Sequence, residues 1–200
     1  MNKKSKNWLT KHKKDQFFKQ SKIQGFRSRS AFKLIEMNQK FKFLKKKISL
    51  LDIGSCPGGW SQVASKEITN GRILAVDIKP MEKIGNIDFI KGDFNQNEIH
   101  QKIMIYFNSK IDVVLSDAAA NTTGNKTLDS YRTGELCLNA MDLSNKILSK
   151  DGIFLSKLFM GSTFKEINKK LKSTSKEQLF TNHYQVKKNP RKYIFFAKVF

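Results

Sequence analysis

The chain is short of cysteine, of acid and of long apolar runs, and each shortage excludes something. Only two cysteines occur among 200 residues, Cys56 and Cys137, and they form no CxxC pair. That suggests neither a disulfide framework nor a metal site, and it suits a reducing compartment. No apolar run approaches the roughly 20 residues of a membrane-spanning helix. The lysine-rich N-terminus also lacks the apolar stretch of a secretory signal. A cytoplasmic chain with no membrane partner is expected. Asp and Glu number 17 against 38 Lys and Arg, a net charge of +21. Codon bias could supply many lysines, but it does not explain the missing acids. A field of that sign gathers polyanions, and nucleic acid is the commonest of them.

Two hundred residues fit one domain with a substantial core. Residues 1–47 read as a basic N-terminal arm of that same domain, dense in lysine but interleaved with Trp8, Phe17, Phe18, Phe26 and Phe32. Its apolar content is too high for a disordered tail. Ser28 or Ser30 is placed to cap a helix carrying Ala31, Phe32, Leu34 and Ile35. From residue 48 to 200 strand and helix signals alternate. Strands are expected at Ile48–Ile53, Arg72–Val76, Ile87–Ile90, Asp112–Leu115 and Gly152–Leu158. Helices are expected near Gly59, over 96–107, from Ser130 to Leu148 and from Thr163 to Leu171. Two closing β-rich runs, Gln178–Val186 and Tyr193–Val199, flank an Asn189-Pro190 turn signal. This alternation predicts a mostly parallel, doubly wound, Rossmann-like α/β sheet with an antiparallel C-terminal edge strand.

Leu51-Asp52-Ile53-Gly54-Ser55-Cys56-Pro57-Gly58-Gly59-Trp60 reads as a buried strand running into a glycine-rich turn and a helix. The spacing Gly54-x-x-x-Gly58-Gly59 is not the G-x-G-x-x-G that seats a pyrophosphate, which disfavours a nicotinamide dinucleotide. It suits a cofactor with a nucleoside but no phosphates, and S-adenosylmethionine fits. Asp77, ending the second strand, can accept from both ribose hydroxyls; Asp93, ending the third, can meet the adenine amino group. Asp52 is expected to shape the loop by accepting main-chain hydrogen bonds. Cys56 is read as a small residue tolerated near the cofactor rather than as a nucleophile.

The residues beyond the fourth strand narrow the choice of acceptor atom. Asp117-Ala118-Ala119-Ala120 is not the Asn/Asp-Pro-Pro-aromatic clamp of exocyclic-amine methylation, and no cysteine is placed for attack on cytosine. What remains is Asp117 and, in the apolar fifth strand, Lys157. A lysine there is costly unless its ammonium reaches a cavity or a partner.

These segments together resemble the FtsJ/RrmJ-like ribosomal RNA ribose 2′-O-methyltransferase family. The likeness spans about Trp8 to Ala197. It rests on Arg27-Ser28-Arg29-Ser30-Ala31-Phe32-Lys33-Leu34, the loop from Asp52 to Gln62, Gly92-Asp93-Phe94, Ser116-Asp117 and Lys157-Leu158-Phe159-x-Gly161. The resemblance implies a class I S-adenosylmethionine-dependent fold, with Gly58, Trp60, Asp77, Asp93 and Asp117 contacting the cofactor. It also implies that Lys33, Asp117 and Lys157 are the first three members of a catalytic Lys-Asp-Lys-Glu tetrad. The fourth departs from the family: Lys192 stands at the position of its Glu, and no acid occurs after Glu177. Ala120 likewise stands where proline is frequent.

The substrate implied is a uridine of large-subunit (23S) ribosomal RNA, met by a monomer on an assembling subunit or its precursor. A ribose hydroxyl is a poor nucleophile, so alignment with an activated methyl supplies much of the rate. Lys157 is expected to orient and deprotonate that hydroxyl, while the arm's cations hold phosphates. The alternatives are a relative acting on transfer RNA or an mRNA cap, and an RNA-binding assembly factor weakened by Lys192.

Overall fold

The central sheet is built from strands whose alternate residues are apolar on both sides. In β1 (Ser49–Ile53), β2 (Arg72–Asp77) and β4 (Ile111–Ser116), Leu50, Ile73, Ala75, Val113 and Leu115 face one layer. Their neighbours Leu51, Ile53, Leu74, Val76 and Val114 face the other. A strand covered by helices on both faces needs this near-continuous apolar run. Each such Leu, Ile or Val, nearly all fully buried, contributes about 1.5–3 kcal/mol on leaving water. The computed structural model describes residues 16–159, 161–181 and 192–199. Residues 1–15 of the arm, the end of the expected run Gln178–Val186 and the Asn189-Pro190 turn lie outside them.

The strand order is β3-β2-β1-β4-β5-β7-β6, with β3 Ile87–Lys91, β5 Leu148–Phe159, β6 Ser175–Thr181 and β7 Lys192–Val199. Strands β1 to β5 run parallel. The winding reverses between β1 and β4, and the crevice beyond the carboxyl ends of those two strands is where open α/β sheets bind ligands. Helices α1 (Gln16–Ile23), α2 (Ala31–Phe41) and α3 (Gly59–Glu67) precede α4 (Asn97–Phe107), α5 (Lys126–Ile147) and α6 (Phe164–Thr174). The arm joins the core through Phe26, Ala31, Leu34, Met37, Phe43 and Leu44, which pack with Trp60, Val63 and Ala64 of α3 on one face. Residues of α4, α5 and α6 cover the other.

Four expectations change. The antiparallel strand β7 is not the edge: it lies between β5 and β6, pairing antiparallel with both. The edge strand is β6, which comes directly after α6; its opening Ser175-Lys176-Glu177 carries no β-branched or aromatic signal, so the sequence placed its start late. Helix α5 begins four residues before the expected Ser130 because Asn125 caps it, accepting from the Thr127 and Leu128 amides at 3.1 and 3.2 Å. Ser30 stands at the N-cap of α2 but makes no side-chain cap bond; its hydroxyl turns instead to Ser28, 2.6 Å away, and to Asp117.

Candidate active site

Beyond β1 the chain must turn sharply while staying against its neighbours. Gly54 takes φ +70, and a Cβ there would lie 2.5 Å from the Ala118 Cα. Only glycine lets the two strand ends approach so closely. The Gly54 amide donates to the Val76 carbonyl at 2.9 Å and the Asp117 amide to Ile53 at 3.2 Å, so three strand ends are laced together. Around them opens a cavity of about 370 Å³, within the range of roughly 300–1,000 Å³ usual for small-molecule sites. Its wall combines apolar Val76, Ile78, Phe94 and Leu136 with the carboxylates of Asp77, Asp93 and Asp117 and the ammonium of Lys157.

Each carboxylate is held by its own loop. Asp77 accepts from the Cys56 and Lys79 amides, both at 2.8 Å, one on each oxygen. Asp93 accepts from the Asn95 amide at 3.0 Å and from its side chain at 2.8 Å, both on Oδ1. Asp117 is met by Lys157, whose Nζ donates to the Asp117 carbonyl at 2.6 Å and lies 2.8 Å from carboxylate Oδ1. The carbonyl bond is the directed one; the Oδ1 contact is chiefly charge against charge, since that oxygen has no well-aligned hydrogen bond. Burial pushes the Asp117 pKa up. The charges of Lys157, then Lys33 of α2, and the close contacts of Lys157 and Ser30 outweigh it, so the group stays below the usual carboxylate value.

The structure thus brings Lys33, Asp117 and Lys157 into one electrostatic cluster, with Asp77 and Asp93 on the same cavity wall. It does not bring Gly58 and Trp60 there. Gly58 sits at φ +107 before α3, where an added Cβ would meet Ile84. Trp60 is 1% exposed, and its indole donates to the Ser30 carbonyl at 2.9 Å, pinning α2 to the glycine loop. Asp52 is fully buried and braces α3 rather than the loop, accepting from the Ser61 hydroxyl at 2.6 Å. Burial raises its pKa to about 7 against that hydrogen bond, and the charges of Asp117 and Asp77 add to the rise. Burial, then Asp77, also pushes the Cys56 thiol up, so it is no ready nucleophile.

One cation of the arm, Arg27, is engaged within the fold. Its guanidinium donates to the carbonyls of Glu82 (2.7 Å), Lys83 (3.0 Å) and Pro57 (3.4 Å), and its amide to Gln62 Oε1 at 2.7 Å. This cation holds the arm against the glycine loop and the segment after β2. Asn95, Asn121, Leu136 and Ala118 on the cavity wall carried no signal of their own in the sequence; they become visible only as neighbours of Asp93 and Asp117. Lys192 opens β7 paired with Phe159, two rungs from the pairing of Lys157 with Ile194. Among the described residues no group of His, Cys, Asp and Glu could hold a metal, and no helix is long and apolar enough to cross a membrane.

The family model described as FtsJ-like methyltransferase matches residues 26–198. A Pelagibacter ubique protein named ribosomal RNA large subunit methyltransferase E is 50% identical over 163 residues, covering 82% of this chain and 80% of that protein. An Acinetobacter baylyi protein of the same name is 37% identical over 173 residues, with coverage of 86% and 80%. Among solved structures, a Plasmodium falciparum protein provisionally described as a ribosomal RNA methyltransferase superposes with a TM-score of 0.79 at 32% identity, covering 88% of this chain and 98% of that one.

Proposed function

The chain belongs to the FtsJ-like methyltransferase family, and on that premise we propose that it methylates a ribose 2′-hydroxyl in large-subunit ribosomal RNA, on a uridine, using S-adenosylmethionine. The observation that carries this reading is the meeting of the Lys157 ammonium and the Asp117 carboxylate on the wall of a cavity that also presents Asp77 and Asp93.

The residues present fit that cofactor. Each oxygen of Asp77 has one main-chain donor, leaving lone pairs for two ribose hydroxyls. Phe94, Ile78 and Val76 offer apolar surface for a base. Carboxylates on the wall favour a cationic ligand and oppose a pyrophosphate, which agrees with the absence of the dinucleotide glycine spacing. When bound, the sulfonium cofactor supplies an activated methyl carbon.

The chain's own residues supply alignment and proton handling. Lys157 Nζ has three hydrogens: one bonds the Asp117 carbonyl and one faces Oδ1. The third direction is left for the substrate hydroxyl: the ammonium holds its oxygen through the third hydrogen, and the neutral amine, formed when that proton passes to solvent, turns its lone pair there and takes up the hydroxyl proton. Asp117 fixes the amine's direction, and Lys33 adds a cation near the phosphate backbone. The arm's remaining lysines contact phosphates without reading sequence. The protein acts as a cytoplasmic monomer on a large subunit or its precursor, with residues 1–47 serving as the RNA-facing part of the single domain.

Nucleoside mass spectrometry of ribosomal RNA from cells lacking the gene, before and after adding the purified protein with S-adenosylmethionine, tests this. One 2′-O-methyluridine should vanish and return. Restoration of a base-methylated nucleoside, or of a methylated transfer RNA alone, would defeat the proposal.

A further inference from the structure

Asp93 is held in a way that its own loop does not explain. Both donors of Asn95, its amide and its side-chain Nδ2, converge on Asp93 Oδ1 at 3.0 and 2.8 Å. The other end of the Asn95 amide is in turn engaged: Asn139 Nδ2, from the middle of α5, donates to Asn95 Oδ1 at 2.9 Å. Asn139 stands one turn beyond Leu136, which borders the cavity, so the contact comes from the cavity side of that helix. The three side chains form a relay whose polarity is fixed. Because Asn95 Oδ1 is committed as an acceptor, Nδ2 must be the end that faces Asp93. Among the described residues no hydrogen bond reaches Asp93 Oδ2, and Asp93 is on the cavity wall.

We infer that Asn95 and Asn139 are positioning residues that set the cofactor's base specificity: they hold Asp93 so that one carboxylate oxygen, an acceptor only, faces the base edge. This rests on the cavity's being the adenosyl site. An acceptor fixed there rewards an exocyclic amine and opposes a carbonyl at the same place, so 6-amino purines are taken and 6-oxo purines are refused. Without the relay only the Asn95 amide still holds Oδ1, the carboxylate turns more readily, and both its contact and its repulsion weaken. The relay also couples base recognition to α5, the helix next in the chain after the segment bearing Asp117.

Isothermal titration with S-adenosylhomocysteine and its 6-oxo analogue, S-inosylhomocysteine, tests this without turnover. The wild type should prefer the amino form by about tenfold or more. In Asn139→Asp, nearly isosteric, the new carboxylate draws Asn95 Nδ2 away and turns Oδ1 toward Asp93. That preference should narrow about three- to tenfold, mostly through weaker binding of the amino form. Asn95→Ala should narrow it likewise. Both side chains are exposed, so folding should be spared, and general loosening would weaken both ligands alike and leave the ratio unmoved. A wild type that discriminates while both variants keep its ratio overturns the inference alone. A wild type that binds both equally overturns Asp93's role and the inference with it. A wild type that binds neither overturns the cofactor reading.

Discussion

Replacing Lys157 with methionine keeps the length of the side chain and removes only the ammonium, so it isolates the contact on which the proposed chemistry depends. In the wild type, Nζ lies 2.8 Å from Asp117 Oδ1, with the two side chains only 13% and 19% exposed. Deleting one partner of a fully buried pair costs about 3–5 kcal/mol, because the other charge is left uncompensated. Here water still reaches part of both groups, and Lys33 and Ser30 continue to stabilise the carboxylate. The expected loss is therefore about 2–3 kcal/mol. For a domain of this size that is a fall in Tm of roughly 5–10 °C. The pH dependence separates this cause from lost packing. Asp117 has a folded pKa below its ordinary value, so its contribution is full above that ordinary value and disappears as pH falls through the depressed one. The Tm gap between wild type and Lys157→Met should thus be widest near neutrality and close below about pH 4. Calorimetry across pH reads the gap, and methyl transfer to ribosomal RNA should drop about 10²–10⁴-fold. A variant with wild-type Tm, a pH-independent gap or full methylation would refute the reasoning.

Gly54→Ala should weaken S-adenosylhomocysteine binding at least tenfold and cost about 2–4 kcal/mol by chemical denaturation, since it combines positive φ with a Cβ 2.5 Å from Ala118 backbone; unchanged binding would show that the strand ends can part freely. Asp52→Asn should flatten a pH slope: with a folded pKa of about 7 the native state holds a proton the unfolded chain has lost, so wild-type stability declines as pH rises from about 4 to 7. An identical decline in the variant would place the titrating group elsewhere. Trp60→Phe should cost about 1 kcal/mol by removing the indole donor to Ser30, and a variant as stable as wild type would remove that pin from the account. Filter binding of ribosomal RNA fragments at rising salt should give a slope of about −0.7 to −0.9 per phosphate neutralised; a flat response would contradict the arm's role.

The match of expectation to structure depends on how local each cause is. Alternating apolar runs place β1, β2 and β4 correctly because burial on both faces writes itself into every residue of a strand. The start of β6 was missed because an edge strand needs no such pattern. Asp77, Asp93 and Asp117 were legible because parallel strands deliver their carboxyl ends to one side of a sheet, so an acid following an apolar run already carries an address, and Lys157 because a lysine inside an apolar strand needs a cavity or a partner.

Sequence alone therefore settled the strand and helix alternation, the glycine turn after β1 and the acids that follow the strands. Tertiary structure alone decided how those residues are used. Arg27 proved to be mortar through carbonyls 30 to 56 positions away, Trp60 a buried pin between α2 and the glycine loop, and Asn139 a brace for Asp93 through Asn95, itself 44 positions from Asn139. The reason is physical: burial and turn preference act over a few residues and leave a pattern in the chain, whereas a hydrogen bond across tens of residues exists only once the fold has brought its donor and acceptor together.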